Sequence, residues 1–162
     1  MKRGNNKIIA IVGPTASGKS ELAVKIAKKV GGEIISADSR QVYQGLDVGT
    51  AKVTGRWIKR KFKKGGVFVY KKIPHYCVDF LSPAKTYSAG EFKKCAEKSI
   101  RDIRSRGKIP ILVGGTGFWV DTVLYNTNLP EVAPDRALRR KLEKKSVREL
   151  YKILKKFDLR RA

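Results

Sequence analysis

The chain has 162 residues, about one domain, and its 41% apolar and 31% charged content excludes collagen, low-complexity disorder and an acidic solvating chain. Lysine and arginine number 37 against 14 acidic residues, a formal net charge of +23 that points to a polyanion: nucleic acid, an anionic membrane surface or a phosphorylated substrate. No apolar stretch nears the ~20 residues that span a bilayer, no secretory signal pattern opens the chain, and Cys77 and Cys95 make neither a metal spacing nor a disulfide framework, so a cytoplasmic, reducing compartment is expected.

Lys7 to Val12 is an Ile/Val-rich run ending in Gly13 and predicts a buried strand. Leu22, Ala23, Ile26, Ala27 and Val30 recur at helical period, predicting a helix over 19–29 that Gly31-Gly32 stops. Glu33 to Ala37 reads as a second strand, closed by Asp38-Ser39. Strand, helix and strand within ~30 residues make a βαβ unit, which predicts an α/β fold with a parallel sheet covered by helices. Gln41 to Thr50 is Gly-punctuated and reads as a loop with one helical turn. Residues 52–64 carry seven Lys/Arg around Trp57 and Phe62, and Val67 to Tyr70 adds a strand to this basic insert of about 52–72. Tyr76 to Leu81 is a further strand candidate, ended by Ser82-Pro83. Ser88-Ala89-Gly90-Glu91 has the capping-box pattern and opens a helix to about Arg106. Ile109 to Val113 is the most strand-like run; it ends in Gly114-Gly115-Thr116-Gly117, followed by a helix to about Tyr125. Pro130 to Pro134 reads as a linker between a core over 1–130 and a segment over 131–162, where Asp135 to Lys145 and Ser146 to Leu159 predict two basic helices with a local net charge of +8.

The strongest motif is Gly13-Pro14-Thr15-Ala16-Ser17-Gly18-Lys19-Ser20, which satisfies G-x-x-x-x-G-K-[ST] at every fixed position between a strand and a helix. Glycines let successive backbone N–H groups converge on an anion, and the helix N-terminus adds partial positive charge. Lys19 reaches terminal phosphate oxygens and the Ser20 hydroxyl can ligate Mg²⁺. Such a loop holds a diphosphate as well as a triphosphate. The 109–113 strand ends in glycines where an ATPase would place a metal-holding aspartate, which weakens a motor or switch reading.

Asp38 falls at the carboxyl end of the second strand, the edge where open parallel sheets bind ligands. There it can be a general base, a metal ligand or a helix N-cap. Asp47 and Asp79 are rivals with weaker context, and His75 reads as a loop or packing residue. The glycine loop with Thr116 lies at the same sheet edge, where it allows close backbone approach and offers a hydroxyl.

Three segments together resemble the tRNA dimethylallyltransferases, also called tRNA isopentenyltransferases: residues 13–20, then Ile35-Ser36-Ala37-Asp38-Ser39-Arg40-Gln41-Val42-Tyr43 continuing through Gly45 to Lys52, and Leu112 to Gly117. Pro74-His75-Tyr76 with Asp79, and Tyr87-Ser88 with Phe92, are similar to further family segments. The resemblance runs from about Ile8 to Ala162 and implies a P-loop NTPase-like core with the beginning of a basic helical insert. It implies transfer of a dimethylallyl group from dimethylallyl diphosphate to N6 of the adenine beside the tRNA anticodon (position 37). On that basis Gly13 to Ser20 hold the diphosphate, Lys19 and Mg²⁺ on Ser20 neutralise charge, and Asp38 accepts or hydrogen-bonds the N6 proton. Asp38, Ser39, Arg40, Gln41, Thr116 and Arg139 match positions that contact tRNA, and Thr116 is counted with Asp38 and Lys19 as catalytic. Family members are about twice as long, so the resemblance implies a C-terminally truncated member, expected as a monomer. A small-molecule P-loop kinase and a non-catalytic tRNA-binding fragment are the alternatives; the charge and the Asp38-Ser39 segment stand against the kinase.

Overall fold

The computed structural model describes residues 7–59, 66–129, 132 and 134–161. Residues 60–65, which hold most of the basic run, and parts of the 130–134 linker therefore lie outside the described residues. The described chain divides into two compact units at 129/130.

The first unit is built on one six-stranded sheet in the order β1-β6-β2-β5-β4-β3. β1 (Ile9–Val12), β2 (Gly32–Ser36), β5 (Ile73–Tyr76) and β6 (Ile109–Gly114) run parallel, with β6 between β1 and β2. β3 (Arg56–Lys59) and β4 (Gly66–Tyr70) extend the β5 edge antiparallel. The sheet is thus mixed: the basic insert supplies the antiparallel strands.

α1 (Lys19–Val30) covers one face, packing Ala23, Val24 and Ala27 on Ile11, Ile34, Ile111 and Val113. α2 (Ala89–Ser105) and α3 (Gly117–Leu124) cover the other, around Ile35, Phe92, Ile103, Leu112 and Trp119. Phe92 is fully buried and stacks on Trp119 at 4.4 Å between ring centroids. Burying such a ring contributes ~2–3 kcal/mol. The cysteines belong to this second core, Cys77 buried and Cys95 packed against it, both as free thiols. The capping box at Ser88 and Glu91 forms as its sequence requires.

The strand expected at Tyr76 to Leu81 is a correction. β5 is Ile73–Tyr76, and the chain leaves it through positive φ at Cys77 (55°) and Asp79 (55°), which no strand tolerates. Lys71 and Lys72, both at positive φ, make a two-residue turn between β4 and β5. That turn closes on the Tyr70–Ile73 pair, so Val69–Pro74 is a non-hydrogen-bonded pair and Pro74 interrupts no bond to β4. His75 accordingly lies in a strand, not in a loop.

In the second unit α4 (Arg136–Glu143) is capped by Asp135, and α5 (Val147–Phe157) by a capping box of Ser146 and Glu149.

Candidate active site

β1 delivers the phosphate loop to the carboxyl edge of the sheet. Gly18 is the α1 N-cap at φ 80°, a left-handed conformation that admits glycine without strain. Lys19 Nζ donates to the Pro14 carbonyl and lies 3.4 Å from Ser17 Oγ, so its ammonium is folded over the loop. Thr15 to Ser20 line a cavity of about 250 Å³ whose other walls include Ile34, Asp38, Gln41, Val78 and Val113.

Asp38 follows β2 directly. Its Oδ1 accepts from the backbone N–H of Arg40 (2.9 Å) and of Gln41 (3.4 Å); no helix begins there, so Asp38 closes a turn rather than capping a helix, and these bonds occupy only one carboxylate oxygen. Gln41 is fixed from both sides: Ser36 Oγ donates to its Oε1 (3.2 Å), and its amide donates to the Thr50 carbonyl (3.0 Å). Thr116 does not line the cavity. Its Oγ1 accepts from the Ser39 N–H at 3.1 Å, and its own N–H donates to the Ala37 carbonyl at 3.3 Å, clamping the turn that carries Asp38. Gly114 makes that clamp possible, because a Cβ there would fall 2.2 Å from the Ala37 carbonyl oxygen. Ser39 and Arg40 lie on the same turn but outside the cavity lining, Gly13 and Pro14 form the loop's base, and Arg139 is on α4 in the other unit.

The rival carboxylates are committed elsewhere. Buried Lys52 bonds Asp47 at 2.6 Å and Asp79 at 2.7 Å and donates to the Tyr43 carbonyl. Burial opposes its charge, but the hydrogen bonds to Asp47 and Asp79 outweigh it and raise the ammonium's pKa. Asp79 also accepts from the Trp57 indole N–H at 3.1 Å. His75 is buried and lines the cavity; desolvation pushes its pKa down, and its Nδ1 faces the Ile73 carbonyl at 2.9 Å, so Nδ1 carries the proton. Thr50, Ala51, Val53 and His75 all line the cavity without having been singled out as site residues. Only the family-like wording of 45–52 signalled that stretch.

No group of three His, Cys, Asp or Glu able to hold a metal exists among the described residues. Ser20, which carries a hydroxyl, lines the cavity next to Lys19. That donor set fits a hard cation such as Mg²⁺, which takes few protein ligands and keeps substrate oxygens and water.

Comparison with known proteins places the chain among similar sequences and folds. The IPP transferase family model matches residues 41–162, and an isopentenyl transferase model matches residues 6–65. A tRNA dimethylallyltransferase of Staphylococcus epidermidis is 46% identical over 93% of this chain, and that of Anoxybacillus flavithermus is 40% identical over 94%. These alignments cover 44% and 45% of the two relatives, so the chain spans about half the length of the relatives it matches. The crystal structure of the tRNA isopentenylpyrophosphate transferase of Bacillus halodurans superposes with a TM-score of 0.63 at 39% identity, over 94% of this chain and 48% of that one. A eukaryotic dimethylallyltransferase seen acting on tRNA gives 0.70 at 31% identity, over 93% and 35%. No described helix is long and apolar enough to cross a membrane.

Proposed function

The chain belongs to the IPP transferase family, and from that premise we propose that it carries the diphosphate-binding and proton-accepting half of a tRNA dimethylallyltransferase. The observation that carries the reading is one cavity lined at once by the phosphate loop and by Asp38, with an apolar wall of Ala23, Ile34, Val53, Val78 and Val113 between. Convergent N–H groups and Lys19 suit a diphosphate, and the aliphatic wall suits a short branched alkenyl chain.

In this reading the C1–O bond of dimethylallyl diphosphate breaks as the N6–C1 bond to adenine forms. The electron pair leaves with the diphosphate, whose growing charge Lys19 and the loop N–H groups stabilise. Ser20 would hold Mg²⁺ together with diphosphate oxygens, and the ion would add positive charge against the leaving group. An exocyclic amine is a poor nucleophile, so the N6 proton needs an acceptor. Asp38 is positioned for it: Oδ1 is fixed by two backbone donors and Oδ2 has no hydrogen-bond partner among the described residues. Thr116 acts through Ser39 as a positioning residue. Asp38 to Gln41 would meet the extruded base, and Arg139 the tRNA backbone. The core over 1–130 and the basic segment over 131–162 then divide chemistry from RNA contact. A cytoplasmic monomer is the form we expect, since its substrate is a soluble RNA.

The test is transfer of labelled dimethylallyl to unmodified tRNA with Mg²⁺, alongside melting curves with dimethylallyl diphosphate and with ATP. We expect label in tRNA and stabilisation by the prenyl diphosphate. Stabilisation by ATP alone would support the kinase reading instead. The chain's coverage of about half its relatives favours one second reading, tRNA binding without turnover. Binding of tRNA by the chain with no label transferred would support it.

A further inference from the structure

The β3–β4 pair has no part in the cavity, yet it is where the basic insert becomes structure. Residues directly opposite in an antiparallel pair, and residues two apart along a strand, share a face of the sheet. Trp57 pairs with Phe68, Phe68 with His75, and Tyr70 with Ile73, so Trp57 and Lys59 lie on the α1 face, the face of the cavity. Arg56 and Ile58 lie on the opposite one. An edge-to-face series of rings crosses this face, with Trp57 to Phe68 at 6.1 Å, Phe68 to His75 at 6.3 Å and His75 to Tyr70 at 6.1 Å. His75, inside the series, lines the cavity, and at one end of it Trp57 keeps 45% of its surface exposed. The Trp57 indole N–H is anchored on Asp79, through both its backbone carbonyl (3.0 Å) and its carboxylate (3.1 Å), so the ring is held in place. The carboxylates nearby, Asp79 and Asp47, are turned to the Lys52 ammonium. β3 is an edge strand with all four residues exposed, and Lys59 is one of its two cations.

We propose that Trp57 and Lys59 form a rim, on the cavity side of the sheet edge, that contacts the tRNA whose adenine enters the cavity. Trp57 offers a rigid aromatic surface to an unpaired base, and Lys59 takes a backbone phosphate. The charge complementarity is plain: a chain of net charge +23 meets a polyanion with a cation and an exposed indole side by side. The rim rests on the tRNA reading above and adds to it a contact supplied by the insert.

The test is binding of unmodified tRNA across a salt series of about 50 to 200 mM. Lys59→Gln should reduce the slope of log affinity against log salt by about 0.7–0.9, the loss of one phosphate contact. Arg56→Gln removes the same charge from the opposite face and should leave the slope unchanged. Trp57→Ala should weaken binding about 5- to 150-fold, the range for losing one stacked base. Trp57→Phe keeps a ring without the anchoring N–H and should restore most of that loss. Equal effects of Lys59→Gln and Arg56→Gln, or a Trp57→Phe variant as weak as Trp57→Ala, overturn the rim. If the unaltered chain binds tRNA no better than duplex DNA of equal length, the tRNA reading falls and the rim with it. If it prefers tRNA and the substitutions change nothing, only the rim falls.

Discussion

The two ends of β2 carry carboxylates in opposite circumstances. At its amino end Glu33 is 0% exposed and ringed by donors: Arg106 at 2.5 and 2.7 Å, Lys108 at 2.8 Å and the Tyr76 hydroxyl at 2.7 Å. Desolvation alone would raise its pKa, but the hydrogen bonds from Arg106, Lys108 and Tyr76 outweigh it and bring it down to about 2. At the carboxyl end Asp38 is held by two backbone N–H groups and is paired with no cation among the described residues. The strand thus starts at a saturated carboxylate and leads at its other end to one that keeps accepting capacity. Saturation makes a structural joint, and partial satisfaction makes a reactive group.

The sharpest way to break this contrast is Asp38→Asn. The amide oxygen keeps the acceptor for Arg40 and Gln41, so the fold should melt as before, while dimethylallyl transfer drops by about 10²–10⁴. Loss of transfer together with loss of the cooperative melt would instead make Asp38 structural. Gly114→Ala comes next. Its Cβ would meet backbone rather than a yielding side chain, so destabilisation should reach ~3 kcal/mol, about 6–12 °C in melting temperature. Dimethylallyl transfer should fall in the same variant, because the displaced Ala37 precedes Asp38.

Glu33→Gln should cost ~2 kcal/mol, below the usual range for breaking a buried pair, because Arg106 and Lys108 remain 32% and 44% exposed and can rehydrate. Transfer should be unaffected. The smallest effect is its pH dependence. A carboxylate whose folded pKa lies near 2 against an ordinary 4.5 stabilises fully above pH 4.5 and loses that contribution as pH falls toward 2. The gap in melting temperature between wild type and Glu33→Gln should therefore be widest above pH 4.5 and close on acidification. A gap independent of pH would mean that packing, not charge, holds that end.

Sequence revealed the two halves of this contrast unequally. The phosphate loop and the strands β1, β2 and β6 were legible, because buried parallel strands read as unbroken apolar runs and the loop's spacing is enforced by its own backbone. Asp38 was legible by its position after such a run. Glu33 was not, since Tyr76, Arg106 and Lys108 lie far along the chain and only the sheet brings them together. β3 was hidden by its charges, as edge strands often are. β5 was displaced in the reading because Val78, Phe80 and Leu81 look more strand-like than Ile73-Pro74-His75-Tyr76, yet pairing with both β2 and β4 decides in favour of the latter. The commitment of Asp47 and Asp79 to Lys52 is likewise a tertiary fact.

The position of β6 between β1 and β2 has a consequence for how the site comes into being. The phosphate loop and Asp38 are both in place early along the chain, but the strands that carry them do not touch; each pairs with β6. During synthesis those early residues must wait until the chain has emerged past Gly114 before the sheet can close and the two groups can face one cavity. Long-range parallel closure of this kind is slow, so the anion site should mature in a single late step, and a nascent chain stalled before residue 109 should capture no diphosphate at all.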